Sequence, residues 1–135
     1  MRILVVDDDE LVRNAVSRGL RMIDGVSVIQ ATDPADALDK IRINKPDAVL
    51  TDWDMPGGGG GAVSMGCYVL RIPCVVWSGR DIQGIPHLTK GSVSTAEIVT
   101  ALEQAIANNR ASDFPGQGAA VADEQPAALT TKQEQ

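Results

Sequence analysis

The sequence lacks long apolar runs, has few cysteines and carries fewer basic than acidic residues. No apolar stretch approaches the roughly 20 residues that cross a bilayer, and the N-terminus lacks the basic-then-apolar pattern of a signal peptide. The formal net charge of −6 repels phosphate backbones. The spacing of Cys67 and Cys74 matches no metal or redox motif, and such cysteines are typically small core side chains. We therefore expect a cytoplasmic protein with no membrane or direct nucleic-acid partner.

Short apolar runs alternate with segments of helical periodicity. The length of 135 residues predicts one domain with one core. Strand, helix, strand, helix, strand is the order that a parallel sheet with right-handed crossovers requires. The sequence thus predicts the α/β class, with strands over residues 3–6, 26–30, 48–50 and 73–77 and a short fifth strand at residues 87–89.

Two segments depart from this regular pattern. Residues 57–61 are five consecutive glycines without the lysine and spacing of a nucleotide-binding loop, so we expect a flexible surface loop before a short helix over residues 62–70. Between Ser78 and the predicted fifth strand only about seven residues remain, whereas a helical crossover normally needs roughly 10–12. The fourth crossover is therefore predicted to be a loop, or at most one helical turn.

The last predicted helix begins at a capping box, Ser94 to Glu97, and ends at Asn108 and Asn109. From residue 111 onward the chain is mainly Ala, Gly, Pro and Gln with scattered charge. This composition predicts a disordered polar tail over residues 111–135 and a folded domain over residues 1–110.

Four consecutive acids, residues 7–10, follow the first predicted strand. One of them is expected to cap the helix that comes next. The remaining carboxylates exceed what a cap requires, and a hard divalent cation is their natural partner.

Polar residues also follow the other strands. Asp7 and Asp8 end the first strand, Asp52 the third and Ser78 the fourth, while Lys90 ends the fifth. Because the carboxyl ends of parallel strands share one edge, these groups are predicted to line one cleft. Carboxylates hold Mg²⁺, a carboxylate can attack phosphorus, and a hydroxyl and an ammonium can bind phosphoryl oxygens. The chemistry indicated is phosphoryl transfer.

In these features the sequence resembles the receiver domain of two-component response regulators, the CheY-like domain, over residues 1–110. The matching segments are residues 3–8, 46–57 and 75–79, together with Lys90. The resemblance implies a flavodoxin-like, doubly wound, five-stranded parallel sheet of order 2-1-3-4-5, here with the fourth helix missing or vestigial. It also implies a histidine kinase or phosphotransfer protein as phosphoryl donor; the downstream partner stays unidentified.

The resemblance assigns roles to individual residues. Asp52 would be the phosphoacceptor. Asp8, Asp52 and the backbone carbonyl of Asp54 would bind Mg²⁺, with Asp7 acting through a water molecule. Ser78 would be the switch hydroxyl.

Further residues match positions of known importance in the family. Lys90 would be the charge partner of the phosphoryl group, and His87 occupies the aromatic switch position. Asp54 and Arg80 occupy positions that tune dephosphorylation. Gly91 stands where most relatives have a proline, often with a cis bond, so a rigid turn is lost beside the lysine.

Three functions compete. We favour a stand-alone receiver that is phosphorylated on Asp52, is not an enzyme and signals by protein–protein contact. The missing fourth helix and Gly91 favour a second hypothesis, a receiver-like binding module that works without phosphorylation. A third, an aspartate-based phosphatase of the haloacid dehalogenase type, is suggested by Asp52 and Asp54, but the motif order is reversed and no cap insertion is present. Sustained turnover of a general phosphate ester would support it.

Overall fold

The computed structural model describes residues 1–112. Five parallel strands form one sheet of order β2-β1-β3-β4-β5, as the resemblance implies. The elements, in chain order, are β1 (Arg2–Val6), α1 (Glu10–Arg21), β2 (Ser27–Ala31), α2 (Pro34–Asn44), β3 (Ala48–Asp52), α3 (Gly59–Leu70), β4 (Cys74–Ser78), β5 (Leu88–Thr89) and α4 (Thr95–Ser112).

Helices cover both faces of the sheet. One apolar cluster joins β1 and β3 to α1 and α4 through Leu20 and Leu102, both fully buried. The other joins the opposite face to α2 and α3 through Ile41 and Val63. Each buried aliphatic side chain stabilises the fold by about 1.5–3 kcal/mol. The central strands β1 and β3 are therefore held from both faces, which fixes the edge where they end.

Side-chain caps fix where the helices begin. The Asp9 carboxylate accepts from the backbone N–H of Leu11 at 3.0 Å, so this acid is the predicted cap of α1. The capping box of α4 is confirmed in both directions, by Ser94 N–H to Glu97 at 2.8 Å and by Glu97 N–H to the Ser94 hydroxyl at 3.1 Å. The helix continues to Ser112, beyond its predicted end at Asn108 and Asn109. Apart from residues 111 and 112, the predicted tail lies outside the described residues.

The prediction of a surface loop over all five glycines is wrong, because α3 already begins at Gly59. A Cβ atom on Gly60 would lie 2.6 Å from the carbonyl oxygen of Asp52 and 2.9 Å from the ring of Trp53. Gly57 and Gly58 have φ angles of 85° and 98°, which favour glycine. The glycines thus let α3 approach the end of β3 and leave room for the Trp53 indole.

The predicted short fourth crossover is confirmed: residues 79–87, between β4 and β5, contain no helix. Ile82 is 7% exposed, and its carbonyl accepts from the backbone N–H of Ile85 at 3.4 Å. The strand β5 begins at Leu88, one residue later than predicted. A folded loop therefore stands where the regular architecture has a helix. Among the helices of residues 1–112, none is both long enough and apolar enough to cross a membrane.

Candidate functional site

The carboxyl edge of the sheet brings three acids together. Asp7 and Asp8 follow β1 and Asp52 ends β3, and one carboxylate oxygen of each lies within 4.8 Å of the others. Asp7 is fully buried and Asp52 is 5% exposed, whereas Asp8 is exposed to solvent. Two acids are therefore shielded from water while the third faces it.

Lys90 neutralises the two buried acids. Its ammonium donates to Asp7 Oδ2 at 2.8 Å and to Asp52 Oδ1 at 2.9 Å. Its backbone N–H donates to the carbonyl of Ser78 at 2.8 Å, which attaches the residue to the end of β4. The lysine follows the two-residue strand β5, so this strand delivers a positive charge to the carboxylates of β1 and β3.

Burial raises the pKa of Asp52 above its ordinary value, because a charged carboxylate is poorly solvated there. The hydrogen bond from Lys90 lowers this pKa and the negative charge of Asp7 raises it, with a net increase. For Lys90, burial lowers the pKa, but the hydrogen bonds and charges of Asp7 and Asp52 outweigh burial and raise it. The lysine is therefore held in its charged form, and the Asp52 carboxylate depends on it.

The two oxygens of Asp7 both have partners. Oδ1 accepts from the backbone N–H of Asp9 at 2.9 Å, and Oδ2 accepts from Lys90. Arg13 donates to the Asp7 carbonyl at 2.9 Å and to the Gln30 side chain at 2.8 Å. Sequence reasoning missed Arg13, whose only signal is a basic residue one turn into a helix that follows an acidic run. Asp7 is thus fixed in place by its neighbours.

Ser78 lies at the same edge with its side chain fully buried. Its hydroxyl oxygen accepts from the backbone N–H of Arg80 at 3.1 Å. Because that oxygen acts as the acceptor, the hydroxyl proton remains available for donation to another acceptor.

Asp54 and Arg80 form an ion pair across the loops that follow β3 and β4. The guanidinium donates through Nε to Asp54 Oδ2 at 2.9 Å and through Nη2 to Oδ1 at 2.8 Å. These hydrogen bonds lower the pKa of the Asp54 carboxyl. Both side chains are more than half exposed, so the pair contributes to geometry rather than to stability. The Asp54 side chain therefore stands apart from the acid cluster.

His87 lies in the loop before β5. Its Nδ1 is 2.7 Å from the carbonyl oxygen of Ile85, and its Nε2 is 3.6 Å from Asp81 Oδ1. Its side chain is 10% exposed. The imidazole thus holds the fourth crossover together from within.

Trp77 is the second site residue that sequence reasoning missed. The Lys90 ammonium lies 5.0 Å from the centroid of the Trp77 ring, within the range of a cation–π interaction. The ring is 5% exposed, and among the described residues no acceptor bonds its Nε1. A buried N–H without a partner costs about 1–3 kcal/mol. The sequence offered only an apolar position in a strand.

The acid cluster fits a hard divalent cation. Its donors are all oxygens, its three carboxylates outnumber the single ammonium, and exposed Asp8 leaves room for metal-bound water. Mg²⁺ prefers oxygen ligands and retains several waters.

Comparison with known proteins identifies the family. The sequence model described as "Response regulator receiver domain" matches residues 3–67. The signal receiver domain of the response regulator NarL from Mycobacterium tuberculosis is 30% identical, with a TM-score of 0.68 over 78% of this chain and 95% of that chain. The chain belongs to the response regulator receiver domain family. Receiver domains in general bind Mg²⁺ and take part in two-component signalling.

Other relatives agree with this assignment. A LuxR-family two-component response regulator from Aurantimonas sp. SI85-9A1 is 27% identical, with a TM-score of 0.69 over 91% of this chain and 96% of that chain. Response regulator MprA from Mycobacterium sp. (strain KMS) is 39% identical over 82% of this chain and 50% of MprA. Response regulator GacA from Pseudomonas viridiflava is 51% identical over 44% of this chain and 28% of GacA. The receiver thus spans half or less of these curated relatives.

Proposed function

We propose that this receiver accepts a phosphoryl group on Asp52 from a histidine kinase or a phosphotransfer protein, and signals by protein–protein contact. The observation that carries the proposal is the position of the Lys90 ammonium, which bonds both Asp52 and Asp7 at the edge where β1 and β3 end. A cation bound to the nucleophile is suited to neutralise charge on an incoming phosphoryl group.

In the proposed step an oxygen of Asp52 forms a bond to phosphorus. The bond between phosphorus and the donor's imidazole nitrogen breaks, and its electron pair returns to that nitrogen. Asp52 must be ionised to attack, and Lys90 partly offsets the effect of burial, which raises the Asp52 pKa. Lys90 remains protonated and binds a phosphoryl oxygen, and the Ser78 hydroxyl donates to another.

The proposed Mg²⁺ ligands are Asp8, Asp52 and the backbone carbonyl of Asp54. Both oxygens of Asp7 already accept hydrogen bonds, which supports a role for Asp7 through water. Bound there, Mg²⁺ would supply positive charge that neutralises the phosphoryl oxygens.

The remaining roles concern signalling. Ser78 and His87 are proposed as the switch residues, and the pair of Asp54 and Arg80 as the groups that tune dephosphorylation. The chain would act as a phosphoacceptor rather than as an enzyme. That it works in the cytoplasm stays a prediction.

Intact-protein mass after incubation with acetyl phosphate and Mg²⁺ tests the proposal. We expect one phosphoryl adduct on the wild type and none on Asp52→Asn or in EDTA. Asp39→Asn, which removes an exposed acid from α2, is the matched control and should be phosphorylated normally.

The alternative, a binding module that works without phosphorylation, is favoured by the loop that replaces the fourth helix. Absence of an adduct on a folded wild-type protein that also fails to bind beryllofluoride would support this alternative. An adduct on Asp52→Asn equal to that on the wild type would refute Asp52 as the acceptor.

A further inference from the structure

The ring of Trp77 faces the one lysine of the site. Trp77 pairs with Asp52 in the register of β3 and β4, and with Leu88 in the register of β4 and β5. Directly paired residues of parallel strands project from the same face of the sheet, so the indole lies on the face of Asp52 and of Leu88, two residues before Lys90. The Lys90 ammonium lies 5.0 Å from the centroid of this ring.

From this contact we infer that Trp77 is a positioning residue that holds the Lys90 ammonium between Asp7 and Asp52 through the face of its indole. The inference rests on the proposed function, because it assigns Trp77 a part in phosphorylation of Asp52. It identifies a residue that constrains the side chain of a lysine whose backbone is attached to the sheet only through a two-residue strand and one further hydrogen bond.

The backbone around Lys90 explains why such a constraint is needed. The strand β5 has two residues, and Gly91 follows the lysine with a φ of 85°. A glycine without contacts near its Cβ position does not restrict the chain. The side chain of Lys90 must therefore be positioned by what it touches, and the ring of Trp77 is a broad, buried surface.

The choice of tryptophan also indicates more than core filling. Its Nε1 is buried and no described residue accepts its hydrogen bond. A phenylalanine or leucine would fill apolar space without that unsatisfied donor. Tryptophan, however, is the aromatic side chain that attracts a cation most strongly.

An uncharged partner has a particular advantage at this site. A metal ion bound by Asp52 and Asp8 would compete with Lys90 for carboxylate oxygens, since both are cations. The ring face of Trp77 attracts the ammonium, whereas a metal ion takes the carboxylate oxygens and does not compete for the ring. When a metal ion takes an oxygen of Asp52, Lys90 would keep its hydrogen bond to Asp7 and, with the ring of Trp77, a second partner beside Asp52.

The first experiment detects the contact without any phosphoryl chemistry. The chain has two tryptophans, so in a Trp53→Phe background the fluorescence reports Trp77 alone. Adding Lys90→Met keeps an apolar stem of similar length and removes the ammonium. We expect the emission of Trp77 to change in intensity and wavelength; an identical spectrum would overturn the inference.

The second experiment measures the initial rate of adduct formation from acetyl phosphate. Trp77→Leu should slow it by about fivefold to thirtyfold, the range that cation–π interactions span from exposed to desolvated sites. Trp77→Phe keeps a ring face and should recover most of this loss. Val75→Ala, on the same strand and in the same apolar cluster, is the structural control: it should lower stability and leave the rate unchanged.

Several results would overturn the inference. Equal rates for the leucine and phenylalanine variants would show that the ring face is irrelevant, and an equal loss in Val75→Ala would reduce the effect to packing. If the wild type forms no adduct, the proposed function fails, and with it the role of Trp77 in phosphorylation. The emission comparison between Trp53→Phe and Trp53→Phe with Lys90→Met then decides independently whether the ring holds the ammonium. This comparison also remains available if Trp77→Leu does not fold.

Discussion

Asp52→Asn should stabilise the fold when no divalent cation is present. In the folded protein the Asp52 carboxylate is attracted by Lys90 at 2.9 Å, which at an effective dielectric constant of about 20 is worth about 6 kcal/mol. Repulsion from Asp7 at up to 4.8 Å opposes this by about 3.5 kcal/mol, and burial of an ion costs several kcal/mol more. The opposing effects prevail, as the raised pKa of Asp52 also indicates.

Asparagine keeps an oxygen for Lys90 and removes the charge, so we expect a gain of about 1 kcal/mol in the free energy of unfolding, a typical size for a point substitution. The gain should depend on pH. A carboxyl whose pKa is raised by folding stabilises the protein fully below its unfolded pKa of about 3.8 and loses this contribution as pH rises through the folded pKa. The advantage of Asp52→Asn should therefore grow across that window and then level off.

Urea unfolding in EDTA and in Mg²⁺ measures both effects. At a free Mg²⁺ concentration of 100 times its dissociation constant the wild type should gain about 2.7 kcal/mol, which reverses the order of the two proteins. Asp52→Asn lacks one proposed ligand and should gain less. If Asp52→Asn is less stable than the wild type in EDTA, burial and the charge of Asp7 do not outweigh the attraction of Lys90. If Mg²⁺ does not change the stability of the wild type, the metal site is refuted.

Three further predictions concern residues around the site. Arg80→Ala, which removes the partner of Asp54, should shorten the lifetime of the phosphorylated form several-fold and change its formation less, because the pair joins two loops at the site. The assay follows the adduct mass after the phosphoryl donor is removed. Unchanged decay in both Arg80→Ala and Asp54→Asn would contradict the prediction. Gly60→Ala should destabilise the fold by about 1–3 kcal/mol in urea unfolding, because its Cβ would meet the Asp52 carbonyl, whereas Gly79→Ala, with open space, should not. Trp53 fluorescence should respond to Mg²⁺ in a variant that lacks the other tryptophan; a flat titration there would argue against metal beside it.

The sequence predicted most of the features that position the site. Buried strands appear in the sequence as continuous apolar runs, and the polar residue that follows each run lies at the carboxyl edge of the sheet. This pattern predicts that Asp52 and Lys90 lie in one cleft. The short fourth crossover followed from chain length alone, because too few residues remained for a helix. The apolar runs and the length of the crossover are properties of short stretches of chain, so the sequence alone can predict them.

The features that were missed depend on neighbours distant in the chain. The sequence predicts a loop at the glycines that begin α3, because only the close approach of Trp53 and the end of β3 explains their small size. The sequence of β4 places Trp77 only in the apolar core. Its contact with Lys90 depends on the pairing of β4 with β5, which the sequence does not show. Arg13 likewise bonds the side chain of Gln30, 17 residues later, only because α1 packs beside β2.

The two-residue strand β5 has a consequence for local unfolding. Lys90 is attached to the sheet through a ladder of two residue pairs and one further backbone hydrogen bond, whereas β1 is paired along its length on both sides. Such a short ladder opens with less free energy than the whole domain, so its amide protons exchange with solvent while the central strands stay protected. Loss of the site's ammonium and loss of the fold are therefore separate events, and a variant with an unchanged melting temperature can still spend more time without its lysine in place.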